Sequence, residues 1–468
     1  MRRRAVLAGM GALAVAGRTR ARARPDVVVV GAGLAGLTAA LALQDAGARV
    51  QVLEAQGRSG GRLRTETGGG LTIDVGGVEV GPHYRRLRAH AVRFGVEIRP
   101  ITRTFGGFGY AIDDRLIRAA DWASSPANRL IGAEREIVPA ALEARLLRPL
   151  SPIRTVDQAD DPALAAFDRP AAVLLAEAGV SAEAIRLMDR WTNAPSLFAS
   201  SALGLFREAA RSPNAPPLTG PETAGEIVGG SAVLPAAMAS ALFSPVRYDT
   251  PVVAVTQTTL GVEIRLASSE VVAADHLIVA APLSAVAGIA FDPPLPPDQA
   301  SAVANAVYAR VTQVHLVPEA PFWEGDGLPA SLYVDGPLER VFAVETAAGV
   351  ERLVCWINGD GAIPWDAMRG EDRVALAVSE LARVRPSSAG KVRGAFSWSW
   401  AGPLSGGIRH APGPGEVAGV GTILGRAHSR VHFAGEHVRR EEHGMEAACE
   451  TGERAALAIL AVQALSMM

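Results

Sequence analysis

The hydrophobic pattern near the start of the chain predicts a strand, a tight turn, a helix and a second strand, in that order. Residues 27–30 read VVVV, a β-branched run typical of a strand buried on both faces. An alanine- and leucine-rich stretch that continues to Asp45 predicts a helix, and residues 48–54 (ARVQVLE) predict the second strand. This order indicates a βαβ unit and therefore an α/β fold.

Apolar and alternating runs that predict further strands recur along the chain. They read TPVVAVTQ (250–257), GVEIRLA (261–267), DHLIVAAP (275–282), VTQVHLV (311–317), RLVCWING (352–359), GAFSWSW (394–400) and SRVHFAGEH (429–437). The proline-rich stretch FDPPLPPDQA marks a boundary near Phe291. Residues 91–228 are predicted to be largely helical, and the alanine-rich residues 446–465 predict a final helix.

Composition narrows the class of protein. A chain of 468 residues, 49% of them hydrophobic, can bury a large core and is long enough for two domains. Its formal net charge of -2 gives no general attraction to nucleic acid or to an anionic membrane. Cys355 and Cys449 alone do not make a disulfide framework, and the nine histidines include no HExxH pair, so no metal site is predicted.

Residues 1–25 resemble an export signal. Arg2, Arg3 and Arg4 precede a weakly apolar stretch at 5–17, and ARA at 21–23 suits a cleavage site. The apolar stretch is too short to span a bilayer, so no stable membrane span is predicted. Paired arginines before a weak apolar core predict twin-arginine export to the periplasm or beyond. The alternative is a disordered basic tail, or a misassigned start, on a cytoplasmic protein.

The first chemical signal is the turn GAGLAG at residues 31–36, which has G-x-G-x-x-G spacing. Gly31 allows the tight turn, Gly33 lets the backbone approach a pyrophosphate, and Gly36 lets the helix pack on the strand. The helix N-terminus favours phosphate, and Glu54 at the end of the second strand suits the ribose hydroxyls. The predicted nucleotide contacts of this unit are Gly31, Gly33, Leu34, Ala35, Gly36, Glu54 and Ala55.

A second glycine-rich turn helps to distinguish FAD from NAD, which the first turn alone cannot do. In EAQGRSGGRLRT (54–65), Gly60 and Gly61 allow another close backbone approach, and Arg62 offers a planar cation to phosphate. Residues 73–84 (IDVGGVEVGPHY) add Gly76 and Gly77, where a flat ring can meet bare backbone. NAD needs only the first turn, whereas FAD lies extended, so the succession of turns favours FAD.

With these stretches and the C-terminal VHFAGEHVRREEHGMEAACETGERAA (431–456), the chain resembles the flavin-containing amine oxidase family. That family includes monoamine oxidases, polyamine oxidases and L-amino-acid oxidases. The resemblance implies an FAD-dependent enzyme that oxidises an amine or amino acid at its C–N bond. Hydride would pass to the flavin N5, and the resulting imine would hydrolyse.

The resemblance also implies two interleaved domains. Residues 26–90, 229–292 and 415–468 would form an FAD-binding Rossmann-like domain. Residues 91–228 and 293–414 would form a mixed α+β domain that binds the substrate. Oxygen or another acceptor would reoxidise the flavin, and the sequence is compatible with a homodimer.

Matching the family residue by residue extends the predicted site. Gly435 and Glu436 would lie along the phosphate and ribityl chain, and Met445 would begin a helix that points at the flavin ring. The backbone of Val253 would read the adenine. Trp400 matches a tryptophan near the ring, although core packing would also explain it.

Several positions depart from the family pattern. Gln313 stands where many members have a lysine near the flavin, and the chain's one lysine, Lys391, lies far away. Arg409 replaces an aromatic residue of the substrate cage, and Glu79 also stands where an aromatic residue is common. Ile408 occupies the position of the covalently attached cysteine, which predicts noncovalent FAD.

Two interpretations of these departures stay open. In the catalytic one, Arg409 selects a substrate with an acidic group, and Gln313 makes reaction with oxygen slow. In the other, Gln313 is a satisfied core group, Arg409 a rim residue and Glu79 the partner of an arginine. Two other functions also stay open: a flavin desaturase or dehydrogenase acting on a non-amine substrate, and a non-catalytic FAD-binding partner protein.

Overall fold

The structure is a computed structural model that describes residues 26–101, 107–212, 224–402, 404 and 406–466; the predicted export segment lies outside them. The strands are β1 (Val27–Val30), β2 (Val50–Leu53), β3 (Thr65–Gly68), β4 (Leu71–Asp74), β5 (Ile98–Pro100), β6 (Phe108–Ile112), β7 (Arg115–Ile117), β8 (Gly225–Ile227), β9 (Val252–Thr258), β10 (Gly261–Leu266), β11 (Val271–Ala274), β12 (His276–Val279), β13 (Ala290–Asp292), β14 (Tyr308–Ala309), β15 (Val311–Pro318), β16 (Ser331–Val334), β17 (Arg340–Thr346), β18 (Gly349–Asn358), β19 (Val392–Ser399), β20 (Arg409–His410) and β21 (Val431–Phe433).

The α-helices follow the same chain order. They are α1 (Leu34–Asp45), α2 (Arg85–Arg93), α3 (Ala171–Glu177), α4 (Ala182–Trp191), α5 (Ala202–Ala209), α6 (Val233–Ser240), α7 (Leu283–Val286), α8 (Pro297–Ala304), α9 (Phe322–Asp326), α10 (Ala362–Asp366), α11 (Gly370–Val384), α12 (Val420–Gly425) and α13 (Gly444–Ser466). Short 3-10 and π-helical turns fill much of residues 119–167.

A four-stranded parallel sheet is built from both ends of the chain. Its order is β2-β1-β12-β21, and every neighbouring pair is parallel. The β1 run VVVV is buried along its whole length, as a central parallel strand requires. Strand, turn and helix follow one another as the sequence predicts, so this sheet has the Rossmann-like arrangement.

Helices α1 and α13 pack tightly against each other beside this sheet. A Cβ added at Gly452 on α13 would lie 2.2 Å from the Ala35 carbonyl oxygen, so glycine is what lets the backbones approach. Their core includes Leu37, Leu41 and Ile459, all fully buried. Because α1 and α13 are distant in sequence, this packing joins the two ends of the chain.

The second region is built on a seven-stranded sheet with the order β19-β15-β18-β17-β16-β6-β7. Helices α3, α4 and α5 form a core that reaches this sheet at Tyr110 and Tyr333. Its strands come from residues 108–117 and 311–399, between segments of the first sheet, so the two regions are interleaved. Ile98 and Ile227, at the edges of the predicted substrate segments, pack instead against the core around α1.

Pairing across the seven-stranded sheet places one row of side chains on a shared face. Trp398 is opposite Gln313, Gln313 is opposite Trp356, and Trp356 is opposite Arg340. Tyr333 continues the row beyond Arg340. Directly paired residues point to the same side of a sheet, so these five side chains form one surface.

No helix within the described part of the chain is long and apolar enough to cross a bilayer.

Candidate functional site

A cavity of about 340 Å³ lies where the four parallel strands end. Gly31 follows β1, Glu54 follows β2, Ala280 follows β12 and Gly435 follows β21, and all four line it. The carboxyl ends of parallel strands are the usual place for ligands in such sheets. Predicted site residues that line the cavity are Gly31, Gly33, Leu34, Ala35, Glu54, Ala55, Gly60, Gly61, Arg62, Gly76, Gly77, Trp400, Arg409, Gly435, Glu436 and Met445.

The first glycine turn has the geometry that its spacing predicts. Gly31 has φ +104°, and a Cβ there would lie 2.9 Å from the Ala280 carbonyl oxygen. A Cβ at Gly36 would lie 1.9 Å from the Gly31 carbonyl oxygen, so α1 can approach β1 only with glycine here. Gly36 therefore shapes the turn without lining the cavity. At Gly33 nothing lies within 4 Å of an added Cβ, which leaves open space beside the start of α1.

Glu54 holds the backbone around this turn. Its carboxylate accepts hydrogen bonds from the amide of Ala32 at 2.7 Å and the amide of Gln56 at 2.8 Å. Burial raises the pKa of Glu54, and these amides oppose that shift. Glu54 thus both lines the cavity and fixes two segments of its wall.

The second glycine turn packs directly on the first. The amide of Gly60 donates to the Ala32 carbonyl at 2.8 Å, and both Gly60 and Gly61 have positive φ. Arg58 fills the turn and donates to the Gly61 carbonyl at 2.7 Å. Arg58 was not predicted from the sequence, because nothing in the sequence distinguishes it from the other arginines of the same loop.

Arg62 lies in the cavity wall but is already paired. Its Nη1 is 2.7 Å from Oε1 of Glu436 and also donates to the Ile408 carbonyl at 3.2 Å. A Cβ at Gly76 would lie 1.8 Å from the Arg62 carbonyl oxygen, so the third glycine stretch packs against this residue. The role predicted for Arg62 at a phosphate remains a prediction; what the structure gives is an ion pair with Glu436.

The Arg62–Glu436 pair is one end of a row of side chains with alternating charges, which runs on to Arg409. Arg439 bridges Glu436, at 3.7 Å, and Glu208, and the other oxygen of Glu208 is 2.8 Å from Nη1 of Arg409. Burial alone would raise the pKa of Glu208, but Arg409 and Arg439 outweigh it and lower that pKa to about 2. Three arginines and two glutamates leave one net positive charge in this network.

Glu208, Arg439 and His437 were missed in the sequence although they line this cavity. Glu208 lies on α5 in the helical segment, far from any glycine turn. For His437 and Arg439 the sequence offered one signal, which is that both lie just after the Gly435-Glu436 pair. Glu208 had no such signal. Trp356 also lines the cavity and was not predicted, because it too lies far along the chain from the glycine turns of the site.

Gln313 lies behind the lining and acts on it through the backbone. Its Nε2 donates to the Val75 carbonyl at 2.9 Å, and Trp400 Nε1 donates to the same oxygen at 2.7 Å. Gln313 is only 2% exposed and also contacts His315. It is therefore a satisfied core group that fixes Val75, which lines the cavity.

Besides Gly36 and Gln313, two further predicted site residues do not line the cavity. Val253 is 38% exposed on β9, and Glu79 is exposed on the loop before α2. Neither lines the cavity, and Glu79 forms no ion pair with any described residue. The adenine contact of the Val253 backbone and the roles of Glu79 stay predictions.

Met445 and Ile408 both line the cavity. α13 begins at Gly444, and both Gly444 and Met445 line the cavity. Ile408 lines it too, whereas Cys355 and Cys449 are buried in the cores and are absent from the described lining. Within the described residues, no group of three metal-ligating side chains is placed to hold an ion.

The cavity fits an extended dinucleotide cofactor. The start of α1 has no side-chain cap, so its backbone amides face the open space beside Gly33. After the first turn, glycines at 60, 61, 76 and 77 keep two further stretches of wall free of side chains. Such a sequence of bare backbone suits a long ligand with a diphosphate and a flat ring.

Comparison with known proteins agrees with this geometry. Residues 34–460 match a family model described as flavin containing amine oxidoreductase. An L-amino-acid oxidase of Siganus canaliculatus is 27% identical over 92% of this chain and 84% of its own length. One from Mus musculus is 26% identical over 95% of this chain and 72% of its own length.

Solved structures share the fold. Cyclohexylamine oxidase from Brevibacterium oxydans superposes with a TM-score of 0.75 at 25% identity, covering 93% of this chain and 98% of its own. Putrescine oxidase superposes with the same TM-score of 0.75 at 23% identity, covering 94% of this chain and 99% of its own.

Proposed function

This chain belongs to the flavin-containing amine oxidoreductase family, and from that premise we propose that it binds FAD noncovalently and oxidises an amine or amino acid at its C–N bond. The observation that carries the proposal is the cavity described above. It joins a glycine-lined cradle at the carboxyl ends of parallel strands to the surface of a second sheet. A cofactor in the cradle and a small substrate against that surface would therefore meet in one space.

The cofactor would be held mainly by backbone. The amides at the start of α1, beside Gly33, suit the diphosphate, and Glu54 suits a ribose. Ile408 at the position of the family's attachment cysteine supports noncovalent binding. When bound, the flavin supplies the acceptor for the two electrons removed from the substrate carbon.

The protein's own residues position and shield the reacting groups. Gln313 and Trp400 fix the Val75 carbonyl from behind, so this part of the wall cannot shift easily. Leu63, Ile408 and Met445 supply apolar lining that limits water. The charge chain ending at Arg62 and Arg409 places a net positive charge in the wall, which favours negative charge inside the cavity.

Anaerobic mixing of the purified holoprotein with a panel of amines and amino acids tests the activity. Loss of the oxidised flavin absorbance with at least one of them is the expected result. Matched alcohols and saturated acids should leave the flavin oxidised. Reduction by these analogues alone would instead identify a dehydrogenase or desaturase, and reduction by no compound would favour a non-catalytic flavoprotein.

Noncovalent attachment has a separate test. Acid precipitation should release all of the flavin into the supernatant, and the released compound should match FAD by chromatography. Flavin retained in the washed pellet would contradict the proposal.

The proposal also covers where the protein is located and which compound accepts its electrons. The paired arginines near the start of the chain support export of the folded holoprotein to the periplasm. Gln313 stands at the position of the family's lysine and adds no positive charge there, which supports a quinone or cytochrome as the acceptor.

A further inference from the structure

A second, smaller cavity lies directly behind one wall of the large cavity described above. Its volume is about 20 Å³, and Glu208, Arg409 and Arg439 line both cavities. One water molecule needs roughly 10–15 Å³, so this space holds one water or one monatomic ion and is too small for an organic substrate. The side chains of Arg409 and Glu208 are 20% and 26% exposed, so a small solute in the large cavity reaches the wall that the two cavities share.

The wall of the small cavity contains hydrogen-bond donors that lack acceptors. Ser200 is 5% exposed and Arg207 is 2% exposed, and both line the cavity. Ser200 Oγ and Arg207 Nε are buried, and no described residue forms a hydrogen bond with either atom. Ser201 Oγ accepts from the Gly204 amide at 3.3 Å, which leaves its hydroxyl hydrogen to donate. Because buried donors are nearly always satisfied, free donors around one cavity indicate that an acceptor occupies it.

The one carboxylate in this wall does not supply that acceptor. One oxygen of Glu208 pairs with Arg439, and the other is 2.8 Å from Nη1 of Arg409. Arg207 makes its contacts through Nη2, which lies 3.5 Å from Asp160 and donates to the Arg439 carbonyl at 3.0 Å. Its Nε therefore remains without an acceptor at the small cavity.

The charges around the small cavity favour an anion over a water molecule. Three arginines and one glutamate line it. When the ion pairs to Asp160, Glu436 and Arg62 are included, four arginines face three carboxylates. His410 also lines the cavity and adds no charge at neutral pH, because burial lowers its pKa to about 4. One positive charge is therefore left over, and one monovalent anion would balance it.

We propose that the small cavity binds one monovalent anion of halide size, such as chloride, held by Ser200 and Arg207. A monatomic anion accepts hydrogen bonds from any direction, so it can meet the hydroxyl just before α5 and the guanidinium on α5 at once. The site goes beyond the proposed amine oxidation and does not rest on it. Because Arg409 and Glu208 form the partition between the two cavities, the anion would also steady the wall of the large one.

Chloride titration of the oxidised holoprotein tests the site. The holoprotein is dialysed against sodium gluconate, and FAD fills the cradle where a free anion would otherwise bind. Sodium chloride then replaces gluconate at constant ionic strength, because the gluconate ion is too large for the small cavity. We expect the thermal midpoint to rise with chloride and to saturate, since a ligand that binds only the folded state stabilises it. A midpoint that stays the same as chloride replaces gluconate would overturn the proposal.

Bromide shows where the anion binds. Crystals of the holoprotein, grown without chloride and soaked in sodium bromide, should give an anomalous scattering peak next to Ser200 Oγ and Arg207 Nε. An ordered water at this position, with no anomalous signal, would contradict the proposal.

Arg207→Gln tests the cation of the site. The amide side chain keeps polarity but loses the charge and the free guanidinium donor, so the affinity for chloride should fall at least tenfold. Arg93→Gln is the matched control, because Arg93 also pairs with an aspartate, Asp45, but lines neither cavity. Its affinity for chloride should equal that of the wild type.

Two further variants keep the test decisive. If Arg207→Gln yields no folded holoprotein, Ser200→Ala carries the test, and its affinity for chloride should fall at least threefold because one donor is removed. An unchanged affinity in that variant would overturn the proposal. Loss of chloride binding in Arg409→Gln, with Arg207→Gln unaffected, would place the anion in the large cavity and would also overturn it.

Discussion

At the scale of single residues, the site depends on side chains that both line the cavity and hold its wall together. Glu54 lines the cavity and also accepts two backbone amides, and Arg62 lines it while pairing with Glu436. Changing either residue therefore removes a contact for a ligand and loosens the wall that would hold it. Both effects act in the same direction on affinity.

Glu54→Ala and Arg62→Ala should each weaken FAD binding at least tenfold. The loss of one hydrogen bond to a charged group is worth about 1.5–3 kcal/mol, which corresponds to that factor or more. Titration of apoprotein with FAD, followed by flavin fluorescence, measures the dissociation constant. Glu263→Ala, an exposed change on β10, serves as the control. Unchanged affinity in both site variants would show that neither residue holds the cofactor.

Gln313 carries a prediction about the electron acceptor. Reduced holoprotein should react faster with a quinone dye than with oxygen, because Gln313 adds no positive charge at the position of the family's lysine. In Gln313→Lys, the new ammonium can still donate to the Val75 carbonyl and adds a positive charge. Its reaction with oxygen should be roughly tenfold or more faster. Stopped-flow reoxidation with each acceptor measures these rates. A rate with oxygen that does not rise in Gln313→Lys would contradict the prediction.

The sequence predicts part of this site well and part of it not at all. Gly31, Gly33 and Glu54 were predictable because strand, turn and helix follow one another locally, which fixes where each side chain lies. Glu208 and its two arginine partners are joined only by tertiary packing, and no local pattern marks them.

At the scale of secondary structure, all four strands of the parallel sheet were predicted, but of the seven-stranded sheet only β15, β18 and β19 were; β6, β7, β16 and β17 were not. The segment 91–228 was predicted to be largely helical, but prolines such as Pro139 and Pro162 divide part of it into 3-10 turns. The hairpin of β3 and β4 and the pairing of β5 with β8 were not foreseen. Strands of three or four residues carry too little periodicity to identify.

The start of α1 offers a test that separates folding from ligand binding. Gly36→Ala places a methyl group against the Gly31 carbonyl, so it should lower the thermal midpoint of the apoprotein. Gly33→Ala has space for its methyl group and should leave the apoprotein stable while weakening FAD binding, because the methyl group enters the open space beside the helix start. Gly325→Ala, which also meets no neighbouring atom, is the neutral control. Equal stability and equal FAD affinity in the two α1 variants would contradict these roles.

At the scale of the whole molecule, buried histidines make the fold sensitive to acid. Burial lowers the pKa of His315 and His437 to about 3, and that of His410 and His432 to about 4. An unfolded histidine takes up its proton near pH 6.5, so unfolding between pH 6.5 and about 4 binds protons. The free energy of unfolding should therefore fall as the pH drops through that window.

Urea unfolding at several pH values between 7.5 and 4.5 measures this dependence. His432→Leu should flatten it by about one proton, because the replaced ring lies on buried β21 and its Nε2 has no partner among the described residues. His428→Gln, at a less buried position, is the matched control. A free energy of unfolding that is independent of pH across this range would contradict the burial of neutral histidines.

The parallel sheet sets the order of events during synthesis. β1 and β2 leave the ribosome early, but β21 and α13, which complete both the sheet and the cofactor cradle, are made last. At ordinary translation rates the interval is on the order of a minute. Until β12 is made, partway through that time, the valine-rich edge of β1 has no β12 to pair with and is open to association with other chains. A flavin can find the complete cradle only after α13 has left the ribosome, so we expect its supply to influence how much of the newly made protein reaches the native state.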